Sequence, residues 1–150
     1  MSIEEDLKLT DKTSLESKAL INLSYTSRQL EESLSALLKE YDLTVQQFNV
    51  LRILRGQQGK PASLSCVQER MVDRSSNTTR LVDKLIKKGL TERRVCPSNR
   101  RKVEIEITKK GLDVLSELDP RTNALNESHV KNFSKEELKL FNTLLDKLRQ

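Results

Sequence analysis

The chain has 150 residues, 35% hydrophobic and 33% charged, with 3% aromatic side chains and a formal net charge of +5. That length and apolar content suit one ordinary domain whose core Leu, Ile and Val must fill. Two cysteines, Cys66 and Cys96, and a lone His129 offer no metal spacing; no nucleophile and base stand together, no apolar run approaches about 18 residues, and the start, Met1-Ser2-Ile3-Glu4-Glu5-Asp6, is acidic where a signal peptide is basic. The expectation is a soluble cytoplasmic protein with no catalytic site, metal, cofactor or membrane partner.

In chain order, residues 1–12 are polar and expected to be mobile. Thr13-Ser14-Leu15-Glu16 has capping-box spacing, with Thr13 able to accept from an orphan amide and Glu16 able to reach back. A long helix should follow, since Leu20, Leu23, Leu30, Leu34, Leu37, Leu38 and Tyr41 keep three- and four-residue spacing. A second helix opens at Thr44-Val45-Gln46-Gln47, carries Val45, Phe48, Val50, Leu51, Ile53 and Leu54, and breaks at Gly56 to Pro61. Ser65-Cys66-Val67-Gln68 signals a short third helix with Val67 and Met71 inward and Cys66 half-buried.

The run from Ser75 to Leu90 predicts the central helix. Residues 78, 81, 82, 85 and 86 are apolar or small and form one face, and Gly89 supplies the stop after a Lys-rich last turn. The opposite face holds Ser76, Asn77, Arg80, Asp83, Lys84 and Lys87. Small hydrogen-bonding residues leading into Arg and Lys suit a DNA major groove, with base edges read near the start and phosphates further along. Residues 90–95 and 103–107 then alternate with period two around Pro97-Ser98-Asn99, which predicts a hairpin with Arg100, Arg101 and Lys102 beside its tip.

From Thr108 the pattern returns to helix. Leu112, Leu115 and Leu118 begin one, Pro120 should kink or restart it with Asp119 as a new cap, and Ser134-Lys135-Glu136-Glu137 caps a last helix striped with Leu138, Phe141, Leu145 and Leu148. Leucine stripes in the first and last helices exceed what a small core needs, so Leu20, Leu23, Leu138, Phe141, Leu145 and Leu148 are expected at a dimer interface.

Charge is unevenly spread. Residues 60–102 hold twelve Lys or Arg against four acids, a local balance of +8, so the remainder of the chain sums to −3. A basic module between mildly acidic flanks is the electrostatic footprint of nucleic-acid binding.

Helix, helix, reading helix and basic hairpin make a winged helix-turn-helix: a mainly α fold with a small β-hairpin wing. Three blocks carry a resemblance to the MarR family of transcriptional regulators. They are Leu43-Thr44-x-x-Gln47-Phe48-x-Val50-Leu51-x-x-Leu54; Ser76-Asn77-Thr78-Thr79-Arg80-Leu81-Val82-Asp83-Lys84-Leu85 with Gly89-Leu90-x-x-Arg93; and Arg100-Arg101 followed by Ile107-Thr108-x-x-Gly111. The resemblance covers residues 14–149. It implies a single domain over 1–150, with a winged-helix DNA-binding lobe at 44–108 and a helical dimerisation region at 13–41 and 109–150. It also implies a two-fold homodimer on a palindromic operator, wings touching the minor groove, and a repressor released when a small aromatic or carboxylate ligand binds between the dimer helices and the DNA-binding lobe.

On that basis double-stranded DNA is the expected partner. Ser75, Ser76, Asn77, Thr79 and Arg80 are the base-edge and nearby backbone candidates, Lys84 and Lys87 the phosphate contacts, and Arg100 with Arg101 the minor-groove contacts. One departure falls in the wing, where Asn99 replaces the family's usual Asp while Arg101 keeps the Arg position. The other is the lack of a cysteine in the first helix. Two alternatives remain: a winged helix that binds an acidic protein partner, and redox sensing through Cys96, an exposed thiol whose neighbours Arg93, Arg94 and Arg100 would favour a thiolate.

Overall fold

The structure, a computed structural model, describes residues 1–150. The chain falls into two compact units, Met1–Val45 and Gln46–Gln150. No helix is long and apolar enough to cross a membrane.

The first unit corrects the expectation of a mobile start. Ile3–Leu7 forms a short helix, α1, whose capping box pairs Ser2 with Glu5, and Ile3 is buried. The Lys18 ammonium lies 2.5 Å from the Glu4 carboxylate. That contact, helped by Glu4's own amide and by Ser2, holds the Glu4 carboxyl down at about 2. The long helix α2, Leu15–Lys39, starts one residue later than the Thr13 capping box implied. Thr13 closes a turn through its amide to the Thr10 carbonyl, and Ser14 Oγ instead accepts from Ser17 N at 3.2 Å. Of the α2 residues only Leu38 is buried, so most of its leucine stripe lies open.

The second unit begins with α3, Val45–Arg55, followed by β1, Ala62–Ser63, and α4, Leu64–Arg70. Then come α5, Thr78–Lys87, the strands β2, Thr91–Cys96, and β3, Asn99–Ile107, and the helices α6, Lys109–Val130, and α7, Lys135–Leu148. The hairpin is part of a three-stranded antiparallel sheet in the order β1-β3-β2, with Ala62 opposite Ile105. Two residues of β1 are too few for any periodicity to announce. The α4 cap also moves: Ser63, not Ser65, accepts from the Cys66 amide at 3.1 Å, because Ser63 ends β1 in extended geometry where an N-cap must sit. The core gathers Phe48, Val50, Leu51 and Leu54 from α3, Val67 and Met71, Val82 and Leu85 from α5, Ile105 from β3, and Leu115 and Leu118 from α6, all buried.

Gly89 adopts φ +74°, and the Gly89 and Leu90 amides donate to the Ile86 and Leu85 carbonyls, the bonding of a glycine-terminated helix end. Thr108 locks onto that end. Its hydroxyl donates to the Gly89 carbonyl at 2.7 Å and accepts from the Gly111 amide at 3.1 Å, capping α6, while its own amide donates to the Leu90 carbonyl.

Pro120 neither breaks nor restarts the chain: α6 runs through it as one helix. Asp119 does not cap a new helix because its carboxylate is engaged elsewhere, paired at two points with the Arg55 guanidinium at 2.8 and 3.0 Å. The proline removes one helical hydrogen bond, and the fork from α3 holds α6 at that point.

A Cβ on Gly111 would lie 2.4 Å from the Leu90 carbonyl oxygen and 2.7 Å from Ile107 Cγ1. Gly→Ala within a helix ordinarily stabilises by about 1 kcal/mol. Here overpacking reverses the sign, and Gly111→Ala should lower stability by about 1–3 kcal/mol in urea melts. A stabilised variant would mean that α6 shifts at no cost.

Candidate nucleic-acid interface

The structure starts α5 at Thr78, later than the sequence pattern implied. Asn77 is its N-cap, its side-chain oxygen accepting from Arg80 N at 3.1 Å. Ser75 and Ser76 therefore lie in the preceding turn rather than on the helical face. Several bonds fix that turn. Asn49 on α3 accepts from the Val72 amide at 2.9 Å, and Gln68 on α4 donates to the Arg74 carbonyl while accepting from the Thr78 hydroxyl. Asp73 accepts from both the amide and the hydroxyl of Ser75, and these two bonds hold its carboxyl below the usual range. Sequence reasoning missed Asn49, Gln68 and Asp73. The Asp-x-Ser spacing at 73–75 was the one local signal that could have pointed to such a turn.

On α5, Thr78, Val82 and Leu85 are buried and the predicted apolar face holds. Thr79, Arg80, Lys84 and Lys87 are exposed, as are Ser75 and Asn77, with Ser76 half-buried. Asp83 shares the outer surface, and Arg93 of β2 meets its carboxylate at 2.6 Å, offsetting the one negative charge on that side. Lys88, just past the helix, turns away and donates to the nearly buried Gln47 at 3.0 Å. Arg94 is likewise paired, with Glu106. Arg80, Lys84 and Lys87 enter none of the ion pairs, so their charge faces solvent.

The wing departs from a plain hairpin. Residues 91–95 pair with 107–103 in register, but Cys96 pairs with Asn99, so Arg100, Arg101 and Lys102 are an excess on β3 that leaves the ladder. Such a bulge re-aims side chains, and here it throws three adjacent cations outward, all exposed. Asn99 braces it: its side-chain oxygen accepts from the Arg101 amide at 3.1 Å. An Asn thus steadies the backbone under Arg101 without carrying a charge. Cys96 contradicts its expectation. It is buried, with its sulfur 3.1 Å from the Ser98 hydroxyl, because the two-residue connection at 97–98 folds over it. The accessible thiol that redox sensing requires is not present there. Cys66 is half-buried as expected, and its sulfur accepts from Arg70.

The geometry is that of a helix-turn-helix with a basic wing. The pattern describing the MarR family matches residues 43–103, from just before α3 into β3. MhqR, an HTH-type transcriptional regulator of Bacillus subtilis (strain 168), is 27% identical over 131 residues, which span 87% of this chain and 89% of that protein. The MarR transcription factor from Planctomyces limnophilus superposes with a TM-score of 0.69 at 28% identity, covering 89% of this chain and 97% of that one. The chain belongs to the MarR family.

A further solved structure, the organohalide-sensing transcriptional regulator RdhR-CbdbA1625 in its 2,4-dichlorophenol-bound form, shares the fold with a TM-score of 0.83. It is 20% identical, and the match covers 93% of this chain and 82% of that one. As a MarR-family winged-helix protein the chain is a DNA-binding transcription regulator, and the basic outer side of α5 with its wing is the surface chemically suited to that role.

Position along α5 gives its cations different expected contacts. Arg80 stands in the first turn and Lys87 is the last helical residue. Arg80→Ala should weaken specific binding by about 1–3 kcal/mol and relax preference at one position of each half-site. Lys87→Ala should weaken all duplexes alike and lower the slope of log K against log salt by roughly one unit. Equal loss on operator and random DNA for Arg80→Ala would make Arg80 a phosphate contact.

Proposed function

We propose that this MarR-family regulator is a repressor that binds a palindromic operator as a two-fold homodimer and leaves it when a small aromatic or carboxylate ligand binds. In this reading Ser75, Ser76, Asn77, Thr79 and Arg80 meet base edges and nearby backbone, Lys84 and Lys87 meet phosphates, and Arg100 and Arg101 enter or line the minor groove.

The observation that carries the dimer is α7. It has no buried residue, yet it displays Leu140, Phe141, Leu144 and Leu148 at 43–57% exposure, with Leu138 and Leu145 half-buried beside them. In the first unit Leu20 and Leu23 are exposed on α2 in the same manner. So much open apolar surface on capped, well-formed helices calls for a partner helix, and a second copy supplies one by symmetry.

Support for a ligand comes from an open groove of about 690 Å³ on the first unit, walled by Leu7, Ile21 and Tyr25, which borders the α2 stripe at Leu20 and holds the Arg28–Glu32 pair, 3.6 Å apart, on its polar side. The organohalide-sensing relative is known with 2,4-dichlorophenol bound, a flat apolar ring with one acidic hydroxyl. The apolar walls of the groove suit such a ring.

Three measurements test the reading. Placing Asp at Leu145 or Leu23 should convert a dimer into monomers in sedimentation at micromolar concentration, because the charge would be buried unpaired; a variant that stays dimeric removes this interface. Footprints should show an imperfect palindrome with half-site centres about 10 bp apart, the spacing set by two reading helices roughly 34 Å apart. A single asymmetric half-site contradicts the two-fold arrangement. Adding 2,4-dichlorophenol or salicylate should release the operator fragment from the wild-type protein, and retention at saturating concentrations of both would refute release by this ligand class.

A further inference from the structure

Met71 closes α4 and Thr78 opens α5, and both are buried. The six residues between them add no apolar side chain to the core: Val72 is 88% exposed, Asp73, Arg74, Ser75 and Asn77 are exposed, and Ser76 is half-buried. Packing therefore seats the two helices, but the shape of the segment that carries Ser75, Ser76 and Asn77 rests on hydrogen bonds.

Gln68 of α4 makes two of those bonds, one on each side of the three residues. Its Nε2 donates to the Arg74 carbonyl at 3.1 Å, and its Oε1 accepts from the Thr78 hydroxyl. A carbonyl only accepts, so the amide nitrogen must face Arg74 and the oxygen falls to Thr78. The bonds between Asp73 and Ser75 or Ser76 lie within the segment, and Asn49 holds its first residue, Val72. Gln68 instead brackets the segment from a helix anchored in the core by the fully buried Val67. Groups that read a ligand must be held to within about 0.5 Å, and the residues behind them set that tolerance.

Resting on the DNA-reading role proposed above, we propose that Gln68 is a positioning residue for sequence recognition. It acts through Arg74 and Thr78, holding Ser75, Ser76 and Asn77 in one shape against the bases, so its effect falls on the whole stretch that they read.

The test compares Gln68→Met, which keeps the length of the side chain and loses both bonds, with Thr78→Val, which loses one, and Thr78→Ser, which keeps the hydroxyl. Operators are selected from random duplexes with each protein, and affinities for the wild-type operator and for random DNA are measured across salt. Gln68→Met should bind the operator about 5- to 30-fold more weakly and flatten preference at several adjacent pairs of each half-site. Its affinity for random DNA and its slope of log K against log salt should match the wild type, since no phosphate contact is removed. Thr78→Val should shift the same positions, and Thr78→Ser should leave them as in the wild type. Adding Thr78→Val to Gln68→Met should cost less than the two changes summed, because they break one shared bond. Where Gln68→Met fails to fold, the two Thr78 variants carry the test alone.

Loss of preference at a single pair would make Gln68 a direct base contact, and equal loss on operator and random DNA would reduce its role to stability; either overturns the inference. So does an unchanged preference in Gln68→Met or in Thr78→Val. Each of these results leaves a selected palindrome to support the regulator reading, whereas a wild-type protein that selects no sequence at all overturns both.

Discussion

Thr108 is the residue through which the reading helix, the wing and the long helix α6 are tied together. Its hydroxyl bonds the Gly89 carbonyl at the end of α5 and the Gly111 amide at the start of α6, while its amide bonds Leu90 at the root of β2. Lys110 adds a bond from its ammonium to the Lys88 carbonyl at 2.9 Å. Lys88 is the C-cap of α5 and Gly89 and Leu90 follow it, so the junction gives the carbonyls just past the helix their partners and fixes the direction of the chain at the same time. The left-handed turn at Gly89 makes room for it, and the missing side chain at Gly111 lets α6 start against the Leu90 backbone. Any displacement of the start of α6 must therefore move the end of α5 or break these bonds.

The same unit sorts its cations by pairing. Arg55 grips Asp119, Arg93 covers Asp83, Arg94 meets Glu106 and Lys88 bonds Gln47. Each of these sits within the fold and orients one element against another. The cations outside such pairs, Arg80, Lys84, Lys87 and the bulged Arg100 to Lys102, are exposed on α5 and the wing. Exposed pairs contribute little to stability, about 0–1 kcal/mol each. Their larger effect is to remove competing charge, Asp83 above all, from the surface that remains positive. Among the four acids of the +8 stretch, Asp83 on the outer side of α5 is the one matched by a cation, Arg93, so the field there stays positive.

How much of this was legible in the sequence depends on the range of the interaction concerned. The apolar face of α5 and its Gly89 stop were plain because a helix period and a glycine are local signals. The caps were off by one or two residues at Thr13 and Ser65, since Ser and Thr cluster near helix starts and only the backbone path decides which one is extended. The restart expected at Pro120 fails for a long-range reason: the residue that would have capped a new helix is held by Arg55, 64 positions earlier. The wing bulge was hidden as well. Arg100-Arg101-Lys102 reads as a continuation of the strand, and only the register, with Cys96 opposite Asn99, shows that three residues have left the ladder. Of the candidate DNA contacts, the helical ones were found by period, whereas the turn that presents Ser75 rests on Asn49, Gln68 and Asp73, whose contributions no periodicity encodes.

The last helix brings the argument to assembly. Isolated helices shorter than about 12–15 residues are marginal in water, and what holds most helices in proteins is the burial of one apolar face. Helix α7 has 14 residues, a full capping box at Ser134 and Glu137, and no buried side chain. It carries a ring contact, Phe133 with Phe141 at 5.9 Å, over a shallow apolar recess that also includes Leu140 and Leu144, and Leu138 and Leu145 are half-buried. A cap contributes only about 1 kcal/mol, too little to offset the ordering of so many residues. Covering its exposed apolar stripe would supply more than the cap does. In a homodimer the same stripe would be covered by its symmetry mate, so that folding of the terminal helix and formation of the two-fold arrangement become one event.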